Sequence, residues 1–440
     1  MEEIFRAAVE AVEPGRLVRQ TLERSAEGIS LRGSEQSSFV RWNAIRNICL
    51  VGGGKAGRPM GEAAIGILGE KIKAGVLAVP RGKGGESGPV RFVEAGHPFP
   101  DGGSREAAEE MLRILAVAGE EDLVVALLSG GGSSMISLPA DGISPADKDE
   151  TSRLLMNAGA DISEINTVRK LLSRVKGGRM ALAAVPARVF ALLLSDVPGD
   201  DPSVIASGPF SPDTTISGNA LEIVARRGIL AMLPNPVRSR LESGAAGNLP
   251  DAPKPGDRAF DRVSCAVVGS NRAALEAACA AAKRPGSADV RVLPGFLRGE
   301  ARLCARDFVS ELKRASASAP PGREIVLIAG GETAVTVRGG GKGGRCQEFA
   351  LSAAIEMAGE SALAVLCAGT DGIDGPTGAA GAYADGKTCA RAASIGLSPA
   401  EKLENNDAYP FFAALSDLAV TGATGTNVAD IAIGLVSDYR

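Results

Sequence analysis

A chain of 440 residues exceeds what one hydrophobic core ordinarily supports, so two or three domains are expected. Hydrophobic residues at 45% and charged residues at 23% exclude general disorder. A net charge of −4 gives no overall attraction for polyanions, and 4% aromatic content leaves few stacking platforms, so neither nucleic acid nor an anionic membrane is the expected partner.

Residues 1–13 read as an acidic amphipathic helix with Ile4, Phe5, Ala8, Val9 and Val12 on one stripe. They have neither the basic start nor the apolar centre of a signal peptide. No apolar run approaches the roughly 18–20 residues needed to cross a bilayer. The seven cysteines are odd in number, dispersed and without a C-x-x-C, which suits reduced thiols in a cytoplasm. A soluble cytoplasmic enzyme, monomer or homodimer, acting on a small molecule is expected.

A short apolar run, then glycines, then a helical stretch recurs along the chain. The runs are residues 47–51, 123–128, 263–268, 325–329 and 362–367. Apolar strands alternating with helices imply parallel strands covered on both faces, with ligands beyond their carboxyl ends. Composition shifts to Pro, Gly and charge between about Pro234 and Asp261, which places a boundary between domains of residues 1–240 and 262–440.

The first loop, Gly52-Gly53-Gly54-Lys55-Ala56-Gly57, satisfies G-x-G-x-x-G between strand and helix. The next strand lacks the acidic residue that a dinucleotide ribose needs, and Walker A spacing is absent. Lys55 at a helix start opposes the dipole, so it suits an anion, with Gly53 and Gly54 as backbone contacts; a tight turn with a solvated lysine is the alternative. The second loop, Ser129-Gly130-Gly131-Gly132-Ser133-Ser134, offers converging N–H groups and hydroxyls, or a capped turn.

Asn166, Arg169 and Lys176 follow. Arg169 and Lys176 are seven apart and would share one face if the segment is helical, either solvated or gripping one anion. At the end of a buried strand, Asp196 and Asp200 suit Mg²⁺, or helix capping. The glycine run 339–344 before Arg345 is hard to justify by packing, and Arg345 again opposes a helix dipole, so Gly343, Gly344 and Arg345 are phosphate candidates. Glu332, in another strand-end loop, is a candidate substrate contact, and Thr370 and Asp371 are candidate nucleotide contacts. The single histidine, His97, makes a Ser-His-Asp hydrolase or a His-ligated metal unexpected; it reads as a structural or hydrogen-bonding residue. Anion cradles, cations at helix starts and a carboxylate cluster are the inventory of phosphoryl transfer.

The strings GGGKAG, GHPFPDGGS, LSGGGSS, INTVRKLLSRVKGGRMA, LSDVPGDDPSVIASGPFSPD, GGETAVTV, GKGGRCQEFAL, GTDGIDGPTGAAGA and TGATGTNVADIAIGLV resemble the glycerate 2-kinases of the GckA/TtuD type, whose C-terminal half is the MOFRL domain. The resemblance implies ATP- and Mg²⁺-dependent phosphorylation of D-glycerate at its 2-hydroxyl. It also implies a Rossmann-like, mostly parallel N-terminal α/β domain, a second mixed-sheet α/β domain, and an active site in the interdomain cleft. The family's catalytic lysine and arginine fall on Lys55 and Arg345; Asp196 joins them as base or metal ligand, and Asn166, Arg169, Lys176 and Glu332 as substrate contacts. Leu171 and Cys346 depart from the histidine and asparagine usual in the family's strings. Relatives have also been labelled hydroxypyruvate reductases, which keeps an NAD(P)H-dependent reductase as the competing function.

Overall fold

The computed structural model describes residues 1–33, 38–283, 289–295, 297–318 and 323–437. The chain divides into two compact units, Pro14–Val268 and Met1–Glu13 with Gly269–Arg440. Among the described residues they contain two seven-stranded sheets and a small three-stranded one.

In the Pro14–Val268 unit the strands run in the order Val263–Gly269, Arg188–Leu194, Asp122–Leu128, Asn47–Gly53, Ile72–Val79, Val90–Glu94, Gly85–Ser87. Each neighbouring pair from Arg188–Leu194 to Val90–Glu94 is parallel, and Gly85–Ser87 returns antiparallel at the edge. The central strands are apolar on both faces because both are covered. Helix Gly102–Val117 buries Ala107, Ala108, Met111 and Leu115 against Val51, Val76 and Val124. Fully burying one such Val or Leu contributes roughly 1.5–3 kcal/mol. Asp101 starts this helix by accepting from the Ser104 N–H at 3.0 Å, with Ser104 capping in return. A second cluster joins helices Pro145–Asn157, Ile162–Leu171, Ser217–Arg226 and Asn235–Ala245 through Leu155, Val168, Val224 and Val237.

The other unit has strand order Asp289–Val292, Ile325–Ala334, Asp430–Val436, Leu363–Gly369, Gly381–Asp385, Leu418–Ala419, with Leu297–Glu300 also beside Ile325–Ala334. Its sheet is mixed. Asp430–Val436 lies antiparallel between Ile325–Ala334 and Leu363–Gly369. Those two apolar runs therefore point the same way, as expected, and it is the strand between them, running against both, that makes the sheet mixed. Burial on both faces makes a strand apolar whichever way it runs, so composition cannot report direction.

The division between the units also falls elsewhere than expected. Strand Val263–Gly269 extends the first sheet, so the change comes after it rather than in the Pro- and Gly-rich stretch, which folds within the first unit. The first helix, Glu2–Ala11, belongs with the C-terminal unit: it packs on helix Asn271–Ala282, and the Val12 carbonyl accepts from Thr426 Oγ1 at 2.7 Å. The final strand, Asp430–Val436, is central to its own sheet.

Candidate active site

The first two glycine loops lie side by side because strands Asn47–Gly53 and Asp122–Leu128 are parallel neighbours. The Lys55 N–H donates to the Gly130 carbonyl at 2.8 Å, and the Ala56 N–H to Ser129 Oγ at 3.1 Å. Gly54 and Gly57 N–H groups are likewise spent, on Ala78 and Gly54 carbonyls. The N–H groups of residues 54–57 are thus taken up within the protein, so Gly54 has no N–H left for an anion. A Cβ at Gly54 would stand 2.3 Å from Ser129 Oγ, so close approach of the two loops requires glycine there.

The second loop is the more open one. Gly131 is left-handed at φ 80°, and among the described residues the N–H groups of Gly130 and Gly131 have no acceptor. A Cβ on Gly131 would stand 3.0 Å from His97 Cδ2 and 3.3 Å from Lys55 Cγ, so this glycine lets Lys55 and His97 close over the loop. Ser133 Oγ and Ser207 Oγ are 2.7 Å apart. Ser207 and Ala206 hold left-handed φ of 63° and 50°, a strained backbone beside the loop.

Next to Ser133 opens a cavity of about 820 Å³, with Lys148, Arg169 and Lys176 in its wall. Lys148 is 6% exposed and donates to Ser137 Oγ at 2.9 Å. Lys176 is 2% exposed and donates to the Ser133 carbonyl at 2.5 Å. Arg169 Nε donates to Ser152 Oγ at 3.1 Å. These partners are neutral. Burial pushes the Lys148 ammonium down to about 8, with Arg169 adding to the effect. Burial and the neighbouring cations Lys148, Arg169 and Lys170 hold Lys176 well below an ordinary lysine. Lys170, one position from Arg169, has a counter-ion of its own in Asp213 at 3.3 Å.

Arg169 and Lys176 do reach one cavity, though not along one helical face. The helix ends at Leu171, and the chain turns through an isolated bridge between Ser173 and Pro139 before Lys176 enters. Asn166, one turn before Arg169, is not among the cavity's lining residues. Lys148 was missed. It sits in the acidic string Asp147-Lys148-Asp149-Glu150, which reads as a solvated helix, yet Lys148 and Ser152 share the buried face of Pro145–Asn157.

Asp196 is half-buried just beyond strand Arg188–Leu194, and Asp200 follows with φ 55°. Asp201, beside them, serves as a turn cap, accepting from the Ser203 N–H. Among the described residues no group of three or more His, Cys, Asp or Glu is placed to hold a metal. Mg²⁺ needs only one or two carboxylates when phosphate oxygens complete its shell, and Asp196 and Asp200 both follow this strand end.

In the other unit Arg345 opens helix Arg345–Glu356 and is gripped by Asp430, Nε to Oδ2 at 2.5 Å and Nη2 to Oδ1 at 2.9 Å. Glu332 holds Nη1 at 2.8 Å. Together these carboxylates keep the guanidinium charged despite its burial. Asp430 heads the last strand and was missed; one acid before an apolar run looks like a strand boundary.

The helix start itself is already occupied. Asp374 accepts from the Cys346 N–H at 3.1 Å and the Gln347 N–H at 2.8 Å. Burial raises the Asp374 carboxyl to about 7. Gly344 approaches Asp374 so closely that a Cβ would stand 2.3 Å from its Cγ, and Gly341 does the same against the Asn405 carbonyl at 2.4 Å. Packing therefore does justify these glycines, and Gly343 and Gly344 meet protein rather than an open anion site. The Thr370 hydroxyl is also used internally, donating to the Ala429 carbonyl at 2.6 Å. Asp371 accepts from the Ile373 N–H at 3.1 Å and, with Asp430, faces Gly369.

Two family models match the chain, a domain of unknown function (DUF4147) over residues 1–242 and the MOFRL family over residues 325–430. The D-glycerate 2-kinase of Thermotoga maritima is 38% identical, covering 99% of this chain and 97% of its own length. A protein of Agrobacterium vitis named as a hydroxypyruvate reductase is 41% identical over 87% of this chain and 97% of its own. The crystal structure of glycerate kinase from Thermotoga maritima has a TM-score of 0.82 at 37% identity, covering 99% of this chain and 98% of that one.

Proposed function

The chain belongs to the glycerate 2-kinase family that carries a MOFRL domain, and from that premise we propose how its residues perform the reaction. It is a kinase that moves the γ-phosphoryl group of ATP to the 2-hydroxyl of D-glycerate. The hydroxyl oxygen forms the new P–O bond, the bond from the γ-phosphorus to the bridging oxygen breaks, and ADP leaves. The observation that carries the reading is the cavity with buried Lys148 and Lys176 and half-buried Arg169, cations held by neutral oxygens and next to the loop that Lys55 covers.

Arg169 and Lys176 bind the glycerate carboxylate. Lys55 and the Gly130 and Gly131 N–H groups meet phosphate oxygens, and Lys55 offsets charge on the phosphoryl group in transit; Arg345 is the catalytic cation of its own unit. Asp430 and Glu332 leave part of the Arg345 donor fork open while fixing its plane. Asp196 and Asp200 would hold Mg²⁺, which neutralises phosphate charge when bound. The alternative role for Asp196 is that of the base that takes the hydroxyl proton. Comparing Asp196→Asn and wild type with Mg²⁺ and Mn²⁺ separates those roles, since only a metal-holding role is rescued by changing the ion. Free thiols at all seven cysteines support action in the cytoplasm.

The test against a reductase is direct. ATP should be consumed only with D-glycerate and a divalent metal, with no oxidation of NAD(P)H by hydroxypyruvate. NAD(P)H oxidation without ATP turnover would replace the kinase reading.

A further inference from the structure

The charge of the cavity exceeds what glycerate can use. Four cations line it; Arg153 is paired with Glu150, but none of the described ion pairs includes Lys148, Arg169 or Lys176, whereas the neighbouring Lys170 is paired with Asp213. Of the acids on the cavity wall, Glu150 pairs with Arg153 at 2.6 Å, and the exposed Asp149 favours the charged forms of Lys148 and Arg169 without forming an ion pair with either. Buried cations held only by hydroxyl and carbonyl oxygens carry a desolvation cost that a bound anion offsets. Glycerate brings a single negative charge. A phosphorylated hydroxy acid brings a carboxylate and a phosphate group of roughly −1.5 to −2 more.

We propose that this cavity is built for the phosphorylated product class, a 2-phospho-hydroxy acid, and that Lys148 is a further ligand-contacting cation beside Arg169 and Lys176. The identity of the ligand rests on the kinase reading; the charge excess does not. Retention of product is the functional consequence, with a site that binds glycerate weakly and 2-phosphoglycerate strongly. Lys176 faces Lys148, Arg169 and Lys170, and Lys148 faces Arg169 and Asp149. An anion placed among them returns charge to both lysines, so binding takes up protons.

Isothermal titration calorimetry on the full chain without nucleotide compares 2-phosphoglycerate, D-glycerate and inorganic phosphate. The expected result is binding of 2-phosphoglycerate at least about tenfold tighter than either of the others, with proton uptake revealed by buffers of different ionisation enthalpy. Lys148→Gln should remove most of that preference. If Lys148→Gln melts early, Ser137→Ala, which removes the lysine's hydrogen-bond partner, is measured in its place and should weaken the preference in the same direction. Equal affinity for 2-phosphoglycerate and glycerate, equal affinity for phosphate alone, or an unchanged preference in the variants would overturn the proposal. Loss of ATP-dependent glycerate turnover in the wild-type protein contradicts the kinase reading, whereas equal affinities in an active enzyme contradict only this inference.

Discussion

Asp430 holds Arg345 by both of its carboxylate oxygens, at 2.5 and 2.9 Å, and is itself almost fully buried. The arginine is not a solvated cation waiting at a helix start. It is a group whose plane is set by a buried anion at the head of the neighbouring strand.

Asp430→Asn should therefore lose more than Glu332→Gln. The first replaces a buried bidentate partner and should cost about 2–3 kcal/mol once partial exposure of the arginine is discounted. The second loosens a half-exposed ion pair and should cost under about 1 kcal/mol. Denaturant melts of the two variants order them, and the reverse order would mean that Glu332 is the real anchor.

Lys55→Met should lower kcat about 10²-fold or more, the scale of a lost transition-state contact. Arg345→Ala should also lower kcat about 10²-fold, with some loss of stability from the stranded Asp430. Near-normal turnover in either variant removes that residue from the mechanism.

Gly54→Ala tests the packing account of the first loop. A methyl group would have to enter 2.3 Å from Ser129 Oγ with φ at 130°, so about 1–3 kcal/mol of destabilisation is expected. If glycine were needed there only for phosphate, the variant would melt normally and lose only nucleotide affinity.

Most cations of the candidate site were legible in the sequence because they stand in unusual places. Lys55, Arg345, Arg169 and Lys176 stand out as cations beside glycines, against the helix dipole or on one side of a turn. What glycine-rich composition could not report was its cause. Glycine admits a phosphate and a neighbouring backbone equally well, and at Gly54, Gly341 and Gly344 the neighbour is protein. Lys148 was hidden because burial of one helix face depends on what packs there, not on flanking acids. Asp374 and Asp430 were hidden because each partner is far away in the chain, joined only by strand pairing and by the end of a helix.

Asp374 gives a pH dependence with a definite sign. Its carboxyl lies near 7 in the fold against an ordinary 3.8, so between these values the unfolded chain is the more ionised. Its contribution to stability is therefore complete below about pH 4 and is lost as pH rises through 7. Asp374→Asn should flatten that part of the stability profile; an unchanged slope would assign it to other groups.

Lys148 governs the alkaline side of product binding. With its ammonium near 8, the Kd for 2-phosphoglycerate should rise as pH passes 8, by up to roughly tenfold per unit as the charged fraction falls. Lys148→Met should start from a higher Kd and lose this rise. A wild-type Kd that is flat from pH 7 to 9.5 would show that the lysine does not meet the ligand.

The most direct test of the central claim supplies ATP, Mg²⁺ and D-glycerate and passes the product to enolase with no mutase present. Enolase accepts 2-phosphoglycerate as it stands, so an immediate enolase signal matching ATP consumption is predicted. ATP consumed without that signal would mean phosphorylation at another hydroxyl, and no ATP consumed at all would contradict the kinase assignment.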